Sequence, residues 1–297
     1  MTFLVLVALA VAAGLIAAAI AFRYPYVSPG ATAAPVVEAV ADASRRHERI
    51  RRWARARRDP AVSTGLAMTI ALAVVAGGGA VLGVFAYLVR TNDTLREIDA
   101  AAAQWGHDNA TEFSDGAIEL VTKLGETWLV IIAGLALVVI GWTRRPVGFV
   151  PLFLLAVILG DKVVTTSVKA LADRARPTLN PIAETLGPSF PSGHTSTAAA
   201  FFAAAALIAG RGRSTRGRAA LAGCAVAVAV AVACSRVFLG VHWLSDVIAG
   251  LALGWAWFAL CAIAFGGRLL RFGATAERIG SETRERDGGR ARARPRV

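Results

Sequence analysis

The chain has 297 residues, 56% of them hydrophobic, a net charge of +12 and a mean hydropathy of +0.57. That apolar excess excludes an ordinary soluble domain, whose core needs far less. A sequence pI of about 11.0 raises nucleic acid as a partner, but the arginines are divided among short loops between apolar blocks, which a nucleic-acid surface does not explain.

Seven apolar blocks, at 2–22, 65–88, 128–143, 147–165, 195–210, 219–235 and 243–266, approach or reach the roughly 20 residues that span a hydrocarbon core. The first has the length of a signal peptide but no basic n-region. Its basic flank follows it, so it reads as a retained N-terminal transmembrane anchor. Residues 23–64 form a basic loop, YPYVSPGATAAP and then SRRHERIRRWARARRD. The second part suits a helix lying on anionic lipid, although a solvated loop is the simpler reading.

After the second block, residues 90–127 hold eight acidic side chains against Arg90, Arg96 and Lys123. Leu95, Ile98, Ala102, Phe113, Ile118 and Leu120 in that segment permit a short amphipathic helix near the membrane surface. Arg144 and Arg145 separate blocks three and four; Arg211, Arg213, Arg216 and Arg218 separate blocks five and six. In block six, GCAVAVAVAVAC alternates two apolar residues, which gives no polar face and favours a lipid-embedded helix over a strand. The tail, 267–297, is again Arg-rich, lacks apolar periodicity and is expected to be disordered. The positive-inside rule places all four basic segments in the cytoplasm and the N-terminus outside. Cys224, Cys234 and Cys261 all lie inside apolar blocks, so neither a disulfide framework nor a metal-ligand cluster is indicated. The predicted fold is all-α, a polytopic membrane helix bundle.

Charges on the outer side break the rule and are informative. Asp161, Lys162, Asp173 and Arg174 read as charges that pair with one another, as intramembrane charges usually do. Three stretches are harder to dismiss. In KALADRARP, Lys169 and Arg176 are seven apart, which puts them on one face of a helix that Pro177 ends. In PSGH, Pro191 to His194, a tight entry into helix five leaves unpaired N–H groups that seat an anion. Capping alone accounts for Ser192 and Gly193 but not for His194. In SRVFLGVHWLSD, Arg236 is expected in a loop, with His242 and Asp246 four apart at the start of helix seven, close enough for the carboxylate to fix the imidazole tautomer. Together they offer cations, helix N–H groups and two imidazoles on one membrane face: a phosphate site with a nucleophile and an acid.

These stretches resemble the three-part signature of the type 2 phosphatidic acid phosphatase (PAP2) superfamily, K-x6-RP, PSGH and SR-x5-H-x3-D, with every defining position present in order. TKLG at 122–125 also resembles an element common ahead of the core's second helix. The resemblance covers residues 65–266. It implies a six-helix core, beyond which lie the 1–22 anchor as an extra helix, the 23–64 loop and the 267–297 tail. By this resemblance His242 is the nucleophile that becomes phosphohistidine, Asp246 orients it, and His194 protonates the leaving oxygen and then assists water. Lys169, Arg176, Ser192, the Gly193 amide and Arg236 hold the phosphate oxygens. The implied chemistry needs no metal or other cofactor.

A site at the outer surface between apolar helices suits a lipid phosphate, with phosphatidic acid, phosphatidylglycerol phosphate and polyprenyl diphosphate as candidates. The signature reads the phosphate and not the tail. A lipid phosphotransferase using the same phosphohistidine, and a non-catalytic lipid-binding or transport protein, are the rival readings. Soluble acid phosphatases and haloperoxidases of the superfamily fit poorly with bilayer-length helices. No nucleic-acid partner is expected, and the Arg-rich loop and tail are expected to meet anionic lipid. The Ala- and Arg-rich, Lys-poor composition is that of a GC-rich bacterial genome, making a bacterial inner membrane the expected location.

Overall fold

The structure, a computed structural model, describes residues 1–23, 63–144, 149–179 and 187–265. The expectations for most of the 23–64 loop, for Arg145 and for the 267–297 tail therefore lie outside the described residues. Within the described residues all regular secondary structure is helical, in the order α1 (Thr2–Arg23), α2 (Ser63–Thr91), α3 (Asp93–Asp108), α4 (Glu112–Lys123), α5 (Thr127–Arg144), α6 (Val150–Ala172), α7 (Gly193–Ala209), α8 (Thr215–Phe238) and α9 (Leu244–Ala264). Over its described residues, each of the seven apolar blocks corresponds to one of these helices. Five are long and apolar enough to cross a membrane; α4 and α5 form a sixth span if counted together across a 53° bend, and α7 is a shorter apolar helix.

That bend has a local cause. Leu124, Gly125 and Glu126 each donate a backbone N–H to the carbonyl three residues back, so the last turn of α4 tightens instead of continuing. Gly125 is required there: a Cβ on it would lie 2.6 Å from the His194 carbonyl. The acidic segment forms two amphipathic helices rather than one. Asn92 caps α3, and a reciprocal Thr111–Ser114 capping box starts α4, so polar caps divide what apolar spacing alone leaves continuous.

Helix α7 lies against α5, α6, α8 and α9. Its Ala200, Phe201 and Ala204 pack with Phe153, Leu154, Val157 and Ile158 of α6 and Cys261 of α9 in the main apolar core. Small residues let the backbones approach, as membrane helices require where lipid leaves little hydrophobic drive between them. Helix α1 docks on α8 in the same way: a Cβ on Gly14 would sit 2.8 Å from the Gly223 carbonyl, and one on Gly223 would sit 2.5 Å from that of Gly14. Gly223→Leu is therefore expected to cost about 1–3 kcal/mol and to lower the thermal unfolding midpoint in detergent. Gly83→Leu on α2, where a Cβ meets nothing within 4 Å, is the neutral control. Equal midpoints for the two variants would contradict this docking.

Candidate active site

The three sequence stretches meet at one end of the bundle, where α6 and α8 finish and α7 and α9 begin. The local route differs from the sequence expectation at three places. Helix α6 ends at Ala172, not at Pro177, because Asp173 turns into the left-handed region with φ of 43°. Asp is one of the few residues that tolerate this conformation, and a position before proline is itself biased against helix. Arg176 thus arrives on an irregular segment and not two turns up a helical face from Lys169. Arg236 lies in the last turn of α8, not in a loop. His242 precedes α9, Trp243 is the N-cap and Asp246 is the third helical residue.

The His242–Asp246 pair is consequently a helix-entry arrangement rather than a helical i,i+4 contact. Asp246 Oδ2 accepts the Trp243 backbone N–H at 3.0 Å and stands 3.3 Å from His242 Nδ1. On the other side of the ring, Arg176 Nη1 is 3.0 Å from His242 Nε2. A guanidinium only donates, so Nε2 carries the lone pair and Nδ1 carries the hydrogen, which it gives to Asp246. The ring is 2% exposed. Burial pushes the imidazole well below its ordinary pKa, to about 3; the hydrogen bond and charge of Asp246 oppose this shift, while Arg176 and Arg236 add to it. His242 is therefore neutral at physiological pH, with its lone-pair nitrogen facing a cation.

Arg176 and Arg236 both stand close enough to the ring to act on its charge. Arg176 also donates to the carbonyls of Gly187 at 2.7 Å and Val241 at 2.7 Å, and Lys169 Nζ donates to those of Pro188 and Ser189. Both cations therefore shape the loop that leads into α7. Arg236 is buried, with Nη1 donating to Thr122 Oγ1 at 3.0 Å and Nε left without a partner. A buried guanidinium N–H with nothing to bond is costly, and a phosphate oxygen is a fitting acceptor.

Ser192 is the α7 N-cap, yet its side chain does not cap the helix; Ser192 Oγ instead accepts from Thr195 Oγ1 at 3.0 Å. The first N–H groups of α7 thus lack the usual side-chain acceptor, as an anion seat requires. The ideal Cβ position of Gly193 lies 4.0 Å from Lys169 Cε. His194, the next residue, is partly buried and close enough to Arg236 to feel its charge. The entry is locked in place by Ser192 N–H donating to the Asp246 carbonyl at 3.0 Å.

Five residues have partners that the sequence reading did not give them. Arg174 does not pair with its neighbours; it binds Asp246 Oδ1 at 2.6 Å and Asp99 Oδ2 at 2.7 Å. Ser245 bonds both Arg174 and Asp99, and Thr122 holds Arg236. Asp161 is held by the hydroxyls of Ser196 and Thr197. The TKLG resemblance pointed towards Thr122, but nothing in the local sequence around Asp99 marks it.

Residues 150–269 match the profile of the PAP2 superfamily. Over 72 residues the chain is 49% identical to a lipid A 1-phosphatase of Rhizobium johnstonii and 47% identical to one of Rhizobium etli; the match covers 24% of this chain and 25% and 27% of those proteins. The chain thus spans about a quarter of the length of the curated relatives it matches. The crystal structure of a transmembrane PAP2 type phosphatidylglycerolphosphate phosphatase from Bacillus subtilis superposes with a TM-score of 0.57 at 23% identity, covering 63% of this chain and 93% of that one. At that identity the likeness speaks to fold.

Proposed function

We propose, from the match of residues 150–269 to the PAP2 superfamily profile, that this multi-pass membrane protein is a phosphatase of lipid phosphates acting through a phosphohistidine. The observation that carries the reading is His242: buried, fixed as the Nδ1–H tautomer by Asp246, and presenting Nε2 to Arg176. A neutral imidazole is a competent nucleophile near pH 7, and fixed cations stabilise the charge of a transferring phosphoryl group.

In the first step an incoming phosphate draws Arg176 off Nε2. Nε2 attacks phosphorus, the ester P–O bond breaks, and the leaving oxygen takes a proton from His194. In the second, water attacks the phosphorus and gives a proton to His194. The N–P bond breaks, and inorganic phosphate leaves with His242 restored. Lys169, Arg176, Arg236, Ser192 and the Gly193 amide hold the non-bridging oxygens through both steps. The arginine-bearing segments, read by the positive-inside rule, support an extracytoplasmic face for this chemistry.

Both kinds of relative are named for removing a phosphate from a lipid, which supports a lipid phosphate substrate. The test is inorganic phosphate release by the detergent-purified protein, in EDTA, from phosphatidic acid, phosphatidylglycerol phosphate, undecaprenyl diphosphate and lipid A. Release from at least one lipid is expected. Transfer of the phosphoryl group to a second lipid without free phosphate would replace hydrolase by phosphotransferase. No reaction from folded protein would leave a lipid binder. A reporter fused at residue 181 is expected to read as extracytoplasmic; a cytoplasmic signal would reverse the orientation but leave the chemistry intact.

A further inference from the structure

We infer that Asp99 and Arg174 are positioning residues for this reaction: with Ser245 they form a charged bracket that holds Asp246 against His242 and sets the net charge facing the imidazole. The inference rests on the phosphohistidine reading. Asp246 divides its carboxylate, with Oδ2 serving His242 Nδ1 and the Trp243 N–H, and Oδ1 taking Arg174 Nη1 at 2.6 Å. Arg174 divides its guanidinium in turn, Nη1 also reaching Ser245 Oγ at 2.7 Å and Nη2 reaching Asp99 Oδ2 at 2.7 Å. Asp99 closes the ring by accepting the Ser245 N–H at 2.8 Å and its hydroxyl at 2.5 Å. The side chains are 1% exposed at Asp99, 13% at Arg174 and 0% at Asp246, so these bonds form where water screens little. The Trp243 ring covers the Arg174 guanidinium at 5.5 Å.

The charge count gives the bracket its meaning. When Nε2 bonds to phosphorus the ring becomes cationic, and the ring already stands near Arg176, Arg236 and His194. Asp246 is its negative partner. An Asp246–Arg174 pair alone would be neutral and of little help to that cation. Asp99 takes the other arm of Arg174 and returns the cluster to one net negative charge, while Arg174 keeps two buried carboxylates from repelling each other. Asp99 comes from α3, outside the 150–269 region that matches the family, so a surface helix supplies part of the electrostatics of the reacting ring.

A KM-against-kcat split on phosphate release from phosphatidic acid in detergent micelles tests this. Asp99→Asn is nearly isosteric and is expected to lower kcat about 10–100-fold while KM and inhibition by inorganic phosphate stay within about twofold. Arg174→Lys, which keeps the charge and one donor, is expected to lose less than Arg174→Gln. The double variant Asp99→Asn with Arg174→Gln is expected to lose no more than the worse single one, as for residues that act as a unit. If Asp99→Asn does not fold, the Lys/Gln contrast at Arg174 carries the test. Unchanged kcat in folded Asp99→Asn, or a parallel fall of kcat and thermal midpoint with KM rising, would overturn the inference alone. Wild-type protein that binds inorganic phosphate but releases none from any lipid would overturn the reading beneath it, and the inference with it.

Discussion

His242→Ala is expected to abolish phosphate release, lowering kcat by at least about 10³-fold, as loss of a nucleophile does in other covalent mechanisms. The protein should remain folded, because every group around the ring keeps a partner. Asp246 retains Trp243 N–H and Arg174, and Arg176 retains the Gly187 and Val241 carbonyls. Affinity for inorganic phosphate should survive for the same reason, since the cations are untouched. Wild-type protein quenched during turnover should carry acid-labile, alkali-stable radiolabelled phosphate, and the variant none. Equal release by variant and wild type would assign the nucleophile elsewhere. The sign of the pH dependence also follows. Burial lowers the His242 pKa to about 3, so falling pH leaves this nitrogen unprotonated until strongly acid conditions. An acid limb near neutrality in kcat/KM therefore belongs to another group.

Gly254→Val is expected to be the most damaging substitution away from the reacting atoms. Its Cβ would fall 2.3 Å from the Ser196 carbonyl and 2.8 Å from Ala199 Cβ. The first obstacle is backbone and cannot rotate away, so α7 and α9 must separate. Gly250, one turn nearer the site, meets the Ser192 carbonyl in the same way, at 2.7 Å. Helix α7 carries the Gly193 amide and His194, α9 carries Asp246, and Ser196 also holds Asp161. A separation of these helices thus disturbs the oxygen cradle, the nucleophile's partner and a buried carboxylate together. We expect a cost near the upper end of the overpacking range, about 3 kcal/mol, with phosphate release lost alongside. Thermal unfolding and activity measured together check this, with Gly79→Val, where nothing lies within 4 Å, as the control. A stable, active Gly254→Val protein would mean that the two helices do not pack as closely as described.

Apolar blocks fixed the position of every bilayer-scale helix because lipid removes the alternatives: a backbone in hydrocarbon must bond to itself. The Ala/Val alternation of 223–234 lies within α8 for this reason. The residue types of the candidate site can be named from sequence as well, since the proposed phosphate chemistry calls for cations, N–H groups and imidazoles whatever the route between them. The route itself was not. The α6 stop at Asp173 depends on a single backbone conformation, and the break after α4 depends on three successive tight-turn bonds. Neither leaves a periodic trace. The bracket was hidden for a different reason. Asp99 and Ser245 are 146 positions apart, and one acidic residue among eight in an amphipathic segment looks like surface until its partner is known.

The crossing of Gly14 with Gly223 bears on how the protein is made. Helix α1 leaves the ribosome about 200 residues before its partner, which at 5–20 residues per second is roughly 10–40 s. Through that interval its docking face meets only lipid or the insertion machinery. The two histidines share the same delay, because one begins α7 and the other precedes α9, and no shorter nascent chain holds both. A truncated or stalled product therefore sits in the bilayer with an undocked first helix and no assembled nucleophile. Quality control that clears such a product removes a chain in which the candidate site has not yet come together.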